Sequence, residues 1–117
     1  MSAFTVRLTR SHVNVILTLF SMFIINLNYI VPLKELDAHM TAHVKFLQKY
    51  YKKNVFIASG RKVPRTGGII LAVADSMEQV EEIIHEDPFY IHKLADFTIT
   101  EFLASQYHPE LKKLLKG

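Results

Sequence analysis

Four segments of the chain have the hydrophobic pattern of β-strands. Residues 23–31 and 97–103 alternate side chains with the period of two that places every second residue on one face of a sheet. Residues 55–58 and 69–73 are short apolar runs, rich in β-branched and aromatic side chains. These two runs predict a central strand pair. A basic loop with its own turn residues, including Pro64, joins them.

The stretch 33–53 has the clearest helical period of the sequence. Successive residues of a helix are about 100° apart around its axis. With this period the apolar residues form two adjacent stripes, and the lysines lie on the opposite side. His43 falls well inside the apolar arc, so we expect its side chain to point inward. Asn54, which tolerates a left-handed backbone, is the expected end of this helix.

Two further helices are predicted towards the C-terminus. Ser76 and Gln79 have the spacing of a capping box, so a second helix should begin there and end at Asp87, before Pro88. Another helix should run from Pro109 through Lys116, because proline suits the first turn of a helix.

The resulting order is β-α-β-β-α-β, the ferredoxin-like arrangement within the α+β class. We expect a four-stranded antiparallel sheet, two helices on one of its faces because the crossovers are right-handed, and an extra C-terminal helix. The second face would then be open and apolar. Homodimerisation through the two sheet faces, forming a dimeric α/β-barrel, is the expected consequence.

Residues 1–21 lie outside this pattern. Arg7 and Arg10 precede an apolar run, as in a targeting signal or membrane anchor, but no small-x-small cleavage site is present and polar residues interrupt the run. We expect an N-terminal extension of unclear role at 1–21 and a single domain at 22–117, with Met22 as a candidate functional start. A membrane association is not expected.

Composition narrows the function classes. The 117 residues include no cysteine, which excludes disulfides and thiolate metal sites and fits a cytoplasmic location. The formal charge of +3 is spread along the chain, so nucleic-acid binding is not expected. Phosphate loops, dinucleotide fingerprints and nucleophile elbows are absent from the sequence. We therefore expect no cofactor.

His43 and Asp87 are the candidate residues for chemistry. An inward histidine can act as a general acid or base near neutral pH, although a core histidine with one hydrogen bond explains the same pattern. Asp87 could supply a carboxylate partner. The alternative is that it only caps a new helical turn that starts at Pro88.

A second group of residues could bind a ligand. The central loop and its flanks offer a hydroxyl, backbone donors and cations for an anionic group, although a solvated hairpin loop explains them equally well. These residues are Ser59, Gly60, Arg61 and Arg65. His39 lies four residues before His43, as in metal-binding helices, but the sequence shows no obvious third ligand, so no metal is expected.

Several motifs, in order, resemble the YciI-like (YCII-related) family over roughly residues 23–102. They are Thr41-Ala-His-Val-Lys-Phe-Leu, Phe56-Ile-Ala-Ser-Gly60, Val63-Pro-Arg-Thr-Gly-Gly-Ile-Ile-Leu71 and Asp87-Pro-Phe89. The resemblance implies a ferredoxin-like fold, dimers formed through the sheets, and a pocket histidine and aspartate that match His43 and Asp87. The chain departs from the family where Arg61 replaces a frequent proline.

Two functions follow from these residues. The first is an enzyme of the lyase, isomerase or dehydrochlorinase kind, in which His43 and Asp87 perform acid-base chemistry on a small aromatic or anionic compound. The second is a non-catalytic dimer that binds a small molecule or a protein in the same cleft. Sequence alone does not separate them, because a ligand pocket and an active site have similar walls.

Overall fold

The computed structural model describes the backbone of residues 3–10 and 13–115, and the side chains of residues 19–115. Within these ranges the elements are β1 (Ala3–Arg10), β2 (Val13–Tyr29), α1 (Leu33–Ala38), α2 (Met40–Lys52), β3 (Phe56–Arg61), β4 (Gly67–Val73), α3 (Met77–Ile84), α4 (Pro88–Ile91), β5 (Ala95–Ala104) and α5 (Lys112–Leu115).

The central sheet has the strand order β5-β2-β4-β3, and every neighbouring pair is antiparallel. Strand β2 therefore lies in the middle, with β4 on one side and β5 on the other. Strand β1 adds a hairpin against the first half of β2. The predicted α+β, ferredoxin-like βαββαβ fold is confirmed.

The main core lies between the sheet and the helices. Alternate residues of β2, represented by Phe23, Ile25 and Leu27, are buried against the aromatic side chains of α2 and the apolar stripe of α3. Each such side chain contributes roughly 1.5–3 kcal/mol when it is fully buried. Because the residues of α2, α3 and β2 share one cluster, both predicted helices lie on the same face of the sheet.

The first strand of the domain is longer than its pattern predicts. It begins at Val13 and not at Phe23, because the preceding apolar run continues the strand and pairs with β1 over eight positions. Three side chains before Met22, those of Leu19, Phe20 and Ser21, are buried. The domain boundary at Met22 stays a prediction. Residues 1, 2, 11 and 12 of the expected extension lie outside the described residues.

The predicted helix over 33–53 is divided in two. His39, with φ −110° and ψ 6°, separates α1 from α2. Asn54 has φ 58°, which confirms the expected left-handed residue after the helix. The break matters for the site because α2, the longer part, carries His43.

Helix α3 begins as its sequence predicts. The Ser76 side chain accepts a hydrogen bond from the Gln79 backbone N–H at 3.1 Å. The Gln79 side chain reaches one residue further back than in a standard capping box and accepts from the Asp75 backbone N–H at 2.7 Å. This cap fixes the start of the helix that leads to Asp87.

The expectation that the whole second face of the sheet is open is wrong at one end. The C-terminal segment folds back, and Tyr107, Leu111 and Leu115 pack on a small cluster that includes Phe20 and Met22. The rings of Phe20 and Tyr107 meet edge to face with centroids 5.2 Å apart. Helix α5 is shorter than predicted, and the expected last residue, Lys116, lies outside the described residues.

No helix in the described part of the chain is both long enough and apolar enough to cross a membrane.

Gly67 allows a close approach between β4 and β2. A Cβ at this position would lie 1.9 Å from the backbone oxygen of Leu27, whereas a Cβ at Gly60 would meet nothing within 4 Å. We expect Gly67→Ala to lower the free energy of unfolding by about 3 kcal/mol, because backbone must move to make room. Gly60→Ala is the control and should change stability by less than about 1 kcal/mol. Urea denaturation of both variants checks this, and equal stability would contradict it.

Candidate active site

Helix α2 places the imidazole of His43 against the core, as its position in the apolar arc predicts. The side chain is 11% exposed. Its ring stacks on Phe89 with centroids 4.0 Å apart and an angle of 2° between the planes. Phe46 lies on α2 with its centroid 6.2 Å from that of His43. The aromatic neighbours fix the plane of the imidazole, so its two nitrogens point in defined directions.

Asp87 is fully buried and serves both purposes that its sequence context allows. Its Oδ1 accepts the backbone N–H of Phe89 at 2.9 Å, which makes it the N-cap of α4, and Pro88 occupies the first turn. The same oxygen lies 2.8 Å from Nδ1 of His43. Asp87-Pro88-Phe89 is therefore one local unit: the first residue bonds the imidazole, the second starts the turn, and the third stacks on the ring.

The hydrogen bond determines which nitrogen of His43 is available. An ionised carboxylate only accepts hydrogen bonds, so Nδ1 carries the proton that it donates to Asp87. Nε2 then has a free lone pair and can accept a proton. The second oxygen of Asp87, Oδ2, is buried and has no hydrogen-bond partner among the described residues. An aspartate that holds a histidine in this tautomer orients it as a base.

His43 lines a cavity of about 400 Å³ between α2 and the sheet. Its walls bring together distant parts of the sequence: Leu27, Tyr29, Asp37, Met40, His43, Val44, Leu47, Ser59, Gly60, Arg61, Arg65, Gly68, Ile69, Ile70 and Phe89. Four of the five predicted ligand-binding residues thus share the cavity with His43. Its volume suits one small organic molecule.

The sheet wall of the cavity follows from strand alternation. Ser59 pairs with Ile70 and Arg61 pairs with Gly68, so both β3 side chains lie on the helix-covered face. The hydroxyl of Ser59 is 2.6 Å from that of Tyr51, and either group can be the donor. The polar residues of the central loop therefore belong to the cavity and are not only a solvated turn.

Arg65 is held by an ion pair. Its Nη2 donates to Oδ1 of Asp37 at 2.7 Å. This hydrogen bond is the main reason that the pKa of Arg65 is raised above its ordinary value. Asp37 joins the wall of the cavity from α1, a contact that no spacing in the sequence indicates.

His39 does not line the cavity. Its ring stacks on that of His92 with centroids 4.2 Å apart. In the described residues, no three side chains of His, Cys, Asp or Glu are grouped closely enough to hold a metal ion. His39 and His43 thus make different contacts, His39 with His92 and His43 with Asp87.

A second polar contact ties the helix of His43 to the segment of Asp87. Glu86 accepts hydrogen bonds from Lys49 Nζ, at 2.6 Å, and from the Tyr50 hydroxyl. The bond from Lys49, followed by that from Tyr50, lowers the pKa of Glu86. Burial, followed by the bond to Glu86, raises the pKa of Tyr50 and keeps its hydroxyl protonated as a donor. Glu86 and Asp87, which are adjacent in the chain, thus both form hydrogen bonds with α2. The Asp87 bond is buried, and the Glu86 bond with Lys49 is exposed.

The sequence of residues 22–103 matches the family model of the YCII-related domain. This chain belongs to the YCII-related family. The match covers most of the chain and includes both His43 and Asp87, which confirms the resemblance seen in the motifs. No curated protein matches the sequence.

A solved structure shares the fold. It is the 5-chloro-2-hydroxyhydroquinone dehydrochlorinase TftG from Burkholderia phenoliruptrix AC1100, in complex with 2,5-dihydroxybenzoquinone. The similarity has a TM-score of 0.57 and covers 77% of this chain and 97% of that one, at 18% sequence identity. At this identity the likeness establishes the common fold.

Glu86 should make stability depend on acidic pH. Because its pKa is lower in the folded chain than the ordinary value near 4.5, its contribution is complete above that pH and is lost as the pH falls through the folded value. Glu86→Gln should remove this part of the acid dependence. The loss should stay below about 1 kcal/mol, because the carboxylate is partly exposed and screened by solvent. Urea denaturation between pH 3 and 7 checks this. Parallel curves for both proteins would contradict it.

Proposed function

We propose that this protein is a small-molecule enzyme in which His43, oriented by Asp87, transfers a proton to and from a substrate bound in the cavity. The observation that carries the proposal is the 2.8 Å hydrogen bond between His43 Nδ1 and a fully buried aspartate, on a histidine that lines the cavity. Residues 22–103, which match the family model, include both members of this pair.

The proton transfer can be written from the geometry. Nε2 of His43 takes a proton from an O–H or C–H group of the substrate, and the electron pair of that bond moves into the substrate. Asp87 stabilises the resulting imidazolium through Nδ1. Return of the proton to another atom gives an isomerisation. Departure of a leaving group with its electron pair, such as chloride, gives an elimination.

The substrate class is a small cyclic or unsaturated compound with acidic hydroxyl groups. Apolar side chains such as Met40, Val44 and Leu47 supply a wall for a ring, and Ser59 supplies a hydroxyl. The solved relative that shares the fold acts on a chlorinated hydroxyhydroquinone and holds a dihydroxybenzoquinone. Those two compounds are therefore the natural starting points for a substrate screen.

We also propose a homodimer formed through the helix-free sheet face. Directly paired residues of antiparallel strands lie on the same face, as do alternate residues of one strand. Ile24 therefore shares this face with its partner Leu71, and Met22 shares it with its partner Phe102. A groove of about 390 Å³ crosses it, and the side chains of Ile24, Ala58, Ile69 and Leu71 line it together with residues 58–61 of the edge strand β3. Exposed apolar side chains on a sheet face favour burial against a second copy.

Turnover should depend on both members of the pair. The substrate screen starts with 5-chloro-2-hydroxyhydroquinone. For any compound that is turned over, His43→Ala and Asp87→Asn should lower kcat by about two to four orders of magnitude and change the ligand affinity much less. Asparagine preserves the shape of Asp87 and an oxygen for the Phe89 N–H, so the loss would report the carboxylate charge. His85→Ala, an exposed histidine stacked on Tyr90 outside the cavity, is the control and should keep wild-type turnover.

The same screen separates the enzyme from a binding module. Binding should be followed by calorimetry on the same compounds, in parallel with product analysis. Turnover that survives both substitutions would refute the proton transfer by His43. Tight binding without turnover of any compound would favour the module.

The dimer can be tested with two substitutions on one strand. Phe102 and Leu103 of β5 are 40% and 49% exposed and point to opposite faces of the sheet. We expect Phe102→Lys to give a monomer, since it places a charge in the interface, and Leu103→Lys to stay dimeric. Light scattering in dilute buffer measures the mass of each. A monomeric wild-type protein would contradict the proposal.

A further inference from the structure

The formal charges that line the cavity do not balance. Asp37 contributes one negative charge, whereas Arg61 and Arg65 contribute two positive charges. His43 is neutral in the tautomer that its hydrogen bond with Asp87 requires when it acts as a base. The residues that line the cavity therefore have one positive charge in excess, since Asp87 is buried behind His43 and is not part of the wall, and a bound compound with one negative charge would compensate that excess.

The two arginines differ in whether they form an ion pair with a carboxylate of the described residues. Arg65 and Asp37 form a hydrogen-bonded ion pair at 2.7 Å, and the pKa of Arg65 is raised by that bond. The pair fixes the central loop to α1 and neutralises both charges. Arg65 would have to leave its carboxylate to bind an anionic ligand, so it is a poor candidate for that role.

Arg61 has no such partner among the described side chains. None of the ion pairs formed within residues 19–115 includes its guanidinium. The neighbouring cation, Lys62, donates to Asn28 at 2.7 Å and does not line the cavity. Opposite Arg61 in the sheet is Gly68, which has no side chain to fill the space. The uncompensated charge of the cavity therefore belongs to Arg61.

Asp87 indicates how an anion would be oriented. Its carboxylate lies directly behind the imidazole of His43, so a negative group next to Nε2 would meet unfavourable charge. A neutral group that can give up a proton suits that position. The anionic group of the ligand is then best placed at Arg61, on the sheet wall, away from the helix wall that carries His43.

We propose that Arg61 is the specificity-determining residue of this cavity, and that it selects small aromatic or unsaturated compounds with a single anionic group. Arg65 instead acts as a structural clamp with Asp37. The proposal rests on the proposed function for the orientation of the ligand. Its test uses binding alone, so it can fail or succeed independently of turnover.

The test compares compounds that differ only in charge. Salicylate with salicylamide, and crotonate with crotonamide, are titrated into ¹⁵N-labelled protein up to millimolar concentration and followed by amide chemical shifts. We expect the wild-type protein to bind the carboxylate of at least one pair about tenfold more tightly than its amide, as one charge-assisted hydrogen bond allows. Arg61→Gln should reduce that preference to within about twofold.

Matched variants exclude a general effect of charge. Lys62→Gln removes one positive charge next to Arg61 and should keep the preference. The double variant with Asp37→Asn and Arg65→Gln removes the clamp without changing the net charge of the wall, and it should keep the preference too. His43→Ala should also retain it, because His43 acts on the proton and not on the anionic group. Thermal denaturation establishes that each variant is folded.

Three results would overturn the proposal. The first is an unchanged preference in Arg61→Gln. The second is its loss in the double variant, which would assign the anion to Arg65. The third is the absence of any preference, or of any binding, for both pairs in the wild-type protein. If His43→Ala loses turnover but still prefers the carboxylate over the amide, the result supports both the proton transfer by His43 and the role of Arg61. If the wild-type protein shows this preference but turns over no compound, only the role of Arg61 is supported.

Discussion

The hydrogen bond between His43 and Asp87 is the interaction on which the arrangement of the site depends. It joins residues 44 positions apart, one on α2 and one at the start of α4, in an interior where a lone carboxylate would be strongly disfavoured. The bond therefore requires α2 and the α3–α4 junction to lie at a fixed separation. The Glu86 contacts with Lys49 and Tyr50 on the outer side of the same junction maintain that separation at a second point.

The aromatic core explains how the imidazole keeps one orientation. Phe89 lies parallel to the ring of His43 and is itself fixed by the Asp87 cap, so the residue that bonds His43 also positions the residue that stacks on it. Phe46 packs between His43 and the sheet residue Phe56. A rotation of the imidazole would disturb these contacts. The direction of Nε2 is thus a property of core packing as much as of the hydrogen bond.

Helical periodicity was sufficient to predict an inward His43, because the apolar arc of α2 is continuous. It could not decide whether Asp87 caps a helix or bonds a histidine, since both use the same carboxylate oxygen and the partner comes from a distant helix. The start of β2 was missed for a similar reason. The apolar run from Val13 resembles a strand, a signal or an anchor until its pairing with β1 is known. The fold of the C-terminal segment over Phe20 likewise depends on tertiary contacts.

The burial of Asp87 favours a functional role over capping alone. A helix cap needs only one accepted hydrogen bond, and serine or asparagine supplies it without burying a charge. Here Oδ1 accepts two hydrogen bonds, while Oδ2 is buried without a partner in the described part of the chain, an arrangement that costs stability. Departures of this kind are concentrated at functional sites. A carboxylate suits this position if the imidazole becomes positively charged during a reaction, since a negative charge stabilises that state more strongly than a neutral hydrogen-bond acceptor.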